Sequence, residues 1–315
     1  MSRKNILIHH GRQLGTAVGL IGLCSVLSVL TPHFLTVSNL LNIAQQASIN
    51  AIIAVGMTYV IISAGIDLSV GSILAFSGVV LGSALQAGWS PSIAILVGIG
   101  AGIVCGVING LLISLSKLPP FIVTLGMMSV ARGAALMYTQ GRPISGFDQE
   151  FRVLATGKLL LIPLPVIIMA GVYLIANFIL TRTKHGLYTY AMGGNEEATN
   201  LAGINVVFHK TVVYALSGLT SGLAAVILTA RLNSAQPIAG VMYELDAIAA
   251  TVIGGTSLMG GEGTLLGTLI GALIMGVLRN GLNVLGVSSF FQQIIIGSVI
   301  IFAVMIDRIL KRQTR

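Results

Sequence analysis

The chain has 315 residues, of which 55% are hydrophobic and only 8% charged, and its mean hydropathy is +0.96. A soluble domain carries about 25% charged residues to wet its surface, so 17 basic and 9 acidic side chains exclude a water-soluble globule. They suffice for the ends and loops of an all-α, polytopic helix bundle in lipid, where a net charge of +8 reflects basic loops beside anionic headgroups rather than nucleic acid.

A bilayer core takes roughly 20 apolar residues per helix. The first apolar run, residues 14–30, follows Arg3, Lys4 and Arg12 and exits through Thr31-Pro32-His33-Phe34 without a small-residue cleavage pattern. It reads as a retained anchor rather than a signal peptide. Further spans are expected near 42–63, 70–87, 92–115, 121–139, 160–180, 211–230, 245–258, 263–280 and 291–307. That makes about ten, with interrupted or re-entrant segments near 63–72 and 254–263. The whole chain, 1–315, reads as one domain. Cys24 and Cys105 each sit inside an apolar run, which leaves no disulfide framework or zinc site.

Basic residues orient the bundle. With the N-terminus inside, eleven fall on the cytoplasmic side (Arg3, Lys4, Arg12, Lys117, Arg182, Lys184, Lys210, Arg308, Lys311, Arg312, Arg315). Five fall outside (Arg142, Arg152, Lys158, Arg231, Arg279), and Arg132 stays within a span. This asymmetry places both termini in the cytoplasm. Gly98, Gly102 and Gly106, then Gly263, Gly267 and Gly271, recur at the four-residue spacing that lets helices approach closely in lipid. The stretch from Gly65 to Gly71 loosely mirrors that from Gly255 to Gly261. Each is followed by a glycine-spaced apolar helix, ending at Asn109-Gly110 and Asn280-Gly281, a pairing that points to transporter architecture.

Polar residues within the apolar segments are few. Asn42, Gln46 and Asn50 recur every four residues and stack on one helix face. Amides facing lipid are costly, so they face either a hydrated path or a neighbouring helix. Asp67 or Ser69 is placed to cap the next helix, the alternative being a coupling-ion site. Glu244 and Asp246 open a later span as first-turn acids favoured by the helix dipole. In the loop 181–210, Gly193-Gly194 makes a turn and Asn195 is an N-cap. Glu196 and Glu197 occupy a first turn, and Gly203 stands where a helix closes. The result is a two-turn helix with Ala198, Leu201 and Ala202 on one face. A helix so short is unstable alone in water and needs a docking partner. There is no Walker sequence, His-Glu-x-x-His or Gly-x-Ser-x-Gly elbow, so neither ATP hydrolysis nor a membrane enzyme is expected of this chain. Composition alone also fits an ion-coupled secondary transporter, although only Arg132 clearly supplies an ionisable group near midplane.

These motifs in this order resemble the permease subunits of bacterial sugar importers of the ATP-binding-cassette class, closest to the ribose permease branch with its xylose, arabinose, galactose and autoinducer-2 relatives. The resemblance rests on Gln45-Gln46-Ala47-Ser48-Ile49-Asn50-Ala51-Ile52, Ser63-Ala64-Gly65-Ile66-Asp67-Leu68-Ser69-Val70-Gly71-Ser72 and Leu201-Ala202-Gly203-Ile204-Asn205-Val206. It continues through Ser234-Ala235-Gln236-Pro237, Tyr243-Glu244-Leu245-Asp246-Ala247-Ile248-Ala249-Ala250, Gly254-Gly255-Thr256-Ser257-Leu258 and Asn280-Gly281-Leu282-Asn283. It implies a permease in the bacterial inner membrane, paired with a second copy of itself to form the translocation path for ribose or a related monosaccharide. It also implies a cytoplasmic tandem ATPase that holds ATP and Mg, a periplasmic sugar-binding protein, and no cofactor on this chain. The family's coupling helix maps onto residues 195–204, so Gly194, Asn195, Glu196, Glu197, Ala198, Thr199, Leu201, Gly203 and Ile204 are the expected ATPase contacts. Asn42, Gln46, Asn50, Asp67 and Ser69 are the expected path residues.

Overall fold

The computed structural model describes residues 3–313, with side chains for 14–302, 304 and 305. Of the basic residues used for orientation, Arg3, Lys4, Arg12, Arg308, Lys311, Arg312 and Arg315 lie outside the described side chains. In chain order the first helices are α1 (Arg3–Leu30), α2 (Val37–Ile62), α3 (Val70–Gln86), α4 (Pro91–Leu115) and α5 (Pro120–Thr139). A short strand β1 (Ile144–Ser145), helix α6 (Gln149–Thr156) and strands β2 (Lys158–Leu159) and β3 (Ile162–Pro163) lead to α7 (Leu164–Arg182), α8 (Lys184–Gly194) and α9 (Glu196–Leu201). The chain continues through α10 (Val206–Leu232), β4 (Ser234–Ala235), α11 (Tyr243–Ile253), α12 (Leu265–Val284) and α13 (Ser289–Gln313). β1 pairs antiparallel with β4, and β2 with β3.

Local signals explain the boundaries. Thr36 caps α2 by accepting from Asn39 N–H, Asn205 caps α10 through Phe208 N–H, and Thr264 caps α12 through Gly267 N–H. Prolines open α4, α5 and α7, at the one place where a missing N–H costs nothing. Each of the ten stretches expected to span overlaps a helix, although 160–163 belongs to the β2–β3 hairpin and 254–258 follows the end of α11. Among the described residues, six helices are long and apolar enough to cross a membrane: α2, α4, α5, α7, α10 and α12. The described parts of α1 and α13, and all of α3, form shorter apolar helices. At 1.5 Å per residue, the 17-residue α3 and 11-residue α11 fall short of a core about 30 Å thick.

Two helices form the centre. The apolar windows of α2 and α10 are 83% and 67% buried, while those of α4, α5 and α7 are 22–28% buried. The outer helices turn apolar side chains such as Leu96, Val130, Met137, Leu174 and Phe178 outward, as a protein solvated by lipid does. This is a multi-pass membrane protein. The glycine spacing is used as expected. A methyl group on Gly102 would strike Gly218 O, one on Gly218 would strike Gly102 O, and one on Gly106 would strike Tyr214 O, so α4 and α10 meet backbone to backbone. Gly267 and Gly271 meet Gly254 O and Ala250 O in the same way, docking α12 on α11. Asn109-Gly110 lies inside α4, one helix later than the expected mirror of Asn280-Gly281, so the sequence repeat is looser in space than on paper.

The two short helices define the middle. Asp67, just before α3, bonds to Ser217, eleven residues into the 27-residue α10. That is about 17 Å along its axis. Gly71 at the start of α3 packs against Gly240 just before α11, with no room for a side chain on either. Both short helices therefore begin near mid-bundle and run to opposite ends. This is the geometry of interrupted helices whose positive N-terminal ends meet in the interior.

Candidate functional site

Two polar assemblies interrupt the apolar interior, and a third lies at the surface. The first gathers on the break between α2 and α3, where Ala64 adopts φ +59°. Asp67 Oδ1 accepts from Ser69 N–H at 3.0 Å and from Ser69 Oγ. Its Oδ2 accepts from Ser217 Oγ at 2.8 Å. Asn109 Nδ2 donates to Ser69 Oγ at 3.0 Å. All four residues are fully buried. Neither side chain caps α3 as expected: Ser69 is the N-cap residue but makes no side-chain cap bond, and Asp67 bonds the Ser69 N–H just ahead of the helix. A buried carboxylate is costly unless it is hydrogen-bonded. Three converging donors and the N-terminal end of α3 supply the compensation.

The second assembly runs down α2. Gln46 Nε2 donates to Asn42 Oδ1 at 3.0 Å, so the spacing of four brings those amides into contact. Asn50 Nδ2 donates to Asp246 Oδ2 at 3.3 Å. Arg279 Nη2 donates to both Asp246 oxygens, at 2.9 and 2.6 Å. Asp246 is buried, while Arg279 keeps 36% of its side chain exposed. Asn42 opens onto a cavity of about 680 Å³ lined also by Ser38, Gln45, Lys158 and Arg231. Gln45 on the adjacent face donates to Ala155 O. The structure thus joins Asn42, Gln46 and Asn50 into one polar face, and seats Asp67 and Ser69 in a separate closed cluster.

Sequence reasoning missed the Asp246–Arg279 pair. It placed Arg279 in an outer loop, whereas α12 carries it in its interior. It also named only Arg132 as clearly ionisable near midplane, whereas Asp67, which it weighed as a buried carboxylate, and Asp246 are both buried, and Arg279 pairs with Asp246. The available signal was complementary charge: a lone Asp or Arg in an apolar segment needs a partner, and both occurred without one on their own helices. Glu244 and Asp246 do lie in the first turn of α11, as expected. Arg132 is held by Pro237 O and Ala239 O, each at 2.7 Å, pinning α5 to the segment that feeds α11.

The third assembly is at the surface. Asn195 caps α9, its Oδ1 accepting from Ala198 N–H at 2.8 Å, with Glu196 and Glu197 in the first turn. Gly203 follows at φ +81°. The helix spans six residues, just short of two turns, with Ala202 as its C-cap and Gly203 at the closing position expected for it. Ala198, Leu201 and Ala202 are exposed on one face, Leu201 at 82%. Thr199 turns inward, its hydroxyl bonded to Asn195 O. Ile204 is half-buried. Lys210 is paired with Glu196, bracing α9 against α10. The loop reading also missed α8, whose buried Gly186, Thr189, Met192 and Gly193 fall at helical spacing. Gly193 and Gly194 lead into α9, and a methyl on Gly193 would collide with Ile62 O and Gly261 N. Gly261 N–H itself donates to Ile62 O at 2.8 Å. The entry to α9, the end of α2 and the loop after α11 therefore share one backbone contact.

Comparison with known proteins gives one answer. Residues 39–305 match the family model described as branched-chain amino acid transport system / permease component. The chain is 50% identical over 299 residues to the ribose import permease protein RbsC of Bacillus subtilis, covering 94% of this chain and 93% of that one. It is 49% identical over 294 residues to RbsC of Escherichia coli K12, covering 92% of each. It is 41% identical over 300 residues to the D-allose transport system permease protein AlsC of the same organism, covering 95% and 92%. No solved structure matches the chain.

Proposed function

The chain belongs to the branched-chain amino acid transport system / permease component family, and on that premise we infer that it is the transmembrane permease subunit of an ATP-driven sugar importer for ribose or a close monosaccharide. The carrying observation is half identity to ribose import permeases across more than nine tenths of both chains. Relatives named for allose, fructose and arabinose fix the cargo class as monosaccharide more firmly than the individual sugar. The named relatives are import permeases, so the ion-coupled alternative falls away.

In this reading the six long spans, the three shorter apolar helices and α11 make ten membrane segments, with both termini cytoplasmic in the bacterial inner membrane. Two copies enclose the path. Asn42, Gln46 and Asn50 line it, with the Asp246–Arg279 pair behind them, while Asp67 and Ser69 hold the break beside it. ATP and Mg bind a separate tandem ATPase, a periplasmic binding protein delivers the sugar, and this chain carries no cofactor. Support for α9 as the ATPase contact is its exposed small apolar face, offered on a helix too short to be stable unaided.

The test is reconstitution in liposomes with the ATPase and binding protein. ATP-dependent uptake of labelled ribose is expected, and ATP-dependent uptake of none of the monosaccharides named above would overturn the reading. In the same system Ala198→Trp should lower uptake at least about tenfold, the loss of roughly 1.4 kcal/mol in coupling, while the subunit still inserts. Ala198 is preferable to Gly203, whose positive φ makes any substitution strained. Normal uptake by Ala198→Trp would remove α9 as the coupling element.

A further inference from the structure

At the base of the α9 hairpin two imidazoles face each other. His185 is the second residue of α8 and His209 the fourth of α10. Their Nδ1 atoms are 3.0 Å apart. Neighbouring rings wedge them in place: Tyr188 lies edge-on to His209 at 4.8 Å, Phe208 at 5.2 Å, and Phe208 meets His185 at 6.1 Å. The pair bridges the two helices between which α9 is suspended.

A 3.0 Å separation suits an Nδ1–H···Nδ1 hydrogen bond in the neutral pair. It also suits a shared metal ion. Imidazole nitrogens bind first-row divalent ions at about 2.0–2.1 Å. Two such ligands at 90° are about 2.9 Å apart, and at a tetrahedral angle about 3.3 Å, so the observed spacing matches adjacent corners of a square. Imidazole suits Cu²⁺ and Ni²⁺, whose preferred geometry is tetragonal, and Cu²⁺ heads the affinity order for nitrogen sites. Among the described residues no third histidine, cysteine, aspartate or glutamate joins the pair, which leaves the other coordination positions to water. The nearby positive charge of Lys210 is offset by Glu196, while Lys184, next to His185, opposes a cation and limits the affinity.

We propose that His185 and His209 form a two-histidine chelating site for a tetragonal divalent transition ion, Cu²⁺ or Ni²⁺, that ties α8 to α10 across the foot of α9. Two ligands brought from separate helices close the 24-residue connection between them only in the folded state, so the ion stabilises that state by mass action.

The experiment uses the full-length chain in detergent, carrying His9→Gln, His10→Gln and His33→Gln to remove competing imidazoles. Copper titration followed by electron paramagnetic resonance should show one Cu²⁺ per chain with two-nitrogen coordination. Ni²⁺ should raise the thermal unfolding midpoint by several degrees. Both effects should vanish in His185→Gln and in His209→Gln, each of which should keep the parent's size-exclusion profile without metal. Copper binding that survives either substitution, coordination by fewer than two nitrogens, or no binding at a stoichiometric excess of Cu²⁺ overturns the proposal. None of these readouts requires transport, so their failure leaves the importer reading untouched.

Discussion

Removing the Asp67 carboxylate would strand the Ser69 N–H, the Ser69 hydroxyl and the Ser217 hydroxyl in a site that water does not reach. Each buried unpaired polar group costs about 1–3 kcal/mol. Asp67→Ala is therefore expected to lose at least about 3 kcal/mol, read as a lowered unfolding midpoint in detergent. Asp67→Asn keeps an acceptor for Ser69 and presents a donor that a rotated Ser217 hydroxyl can receive, so it should lose about 1 kcal/mol or less. Equal losses in the two variants would show that the charge, and not the donor network, holds the break together. At this scale the sequence was informative where spacing alone decides contact. Asn42 and Gln46 stand four apart on one helix, and their amides meet. It was silent on Asp246 and Arg279, 33 residues apart on different helices, because nothing local records which helices become neighbours.

At the α4–α10 and α11–α12 seams, main chain packs directly on main chain. Gly102 and Gly218 face each other across the α4–α10 seam, whereas Gly100 has open space where a side chain would go. Gly102→Leu should push the two helices apart and cost about 3 kcal/mol or more, above the usual range for overfilling a core, because backbone cannot rotate away. Gly100→Leu should be within about 0.5 kcal/mol of the parent. Thermal unfolding of the two variants checks this, and equal midpoints would contradict the seam. The long helices were legible from apolar runs and prolines. α8 was not, since its polar and aromatic residues resemble a loop until the burial of Gly186, Thr189 and Met192 at every third position is seen. The closure of α9 was legible, because Gly203 follows the Ala202 cap at positive φ as its position in the sequence suggests. The shortness of α11 was visible, but not that it starts in the bundle interior, which depends on the distant Gly71–Gly240 contact.

For the whole molecule, the proposed ten crossings would put α6 and α9 on opposite faces of the membrane. Single cysteines at Gln149 and Leu201, in a chain lacking Cys24 and Cys105, should react with an impermeant thiol reagent from opposite sides of sealed vesicles. Reaction of both from one side would refute the topology. Both positions are solvent-exposed, so failure to react would not arise from burial. One feature of the assembled chain has mechanical meaning. Where Gly193 seats on the Ile62 carbonyl and Gly261 bonds to the same oxygen, three separate strands of backbone are riveted at a single point. Side chains can swing through rotamers and absorb a push, whereas backbone in direct contact has no slack to take up. In the coupling role proposed for α9, a displacement of that helix would reach the foot of α2 and the loop after α11 through backbone contact alone. On that proposal the joint would act less like a spring than like a bell crank, passing a shove on α9 to the helices that frame the interior.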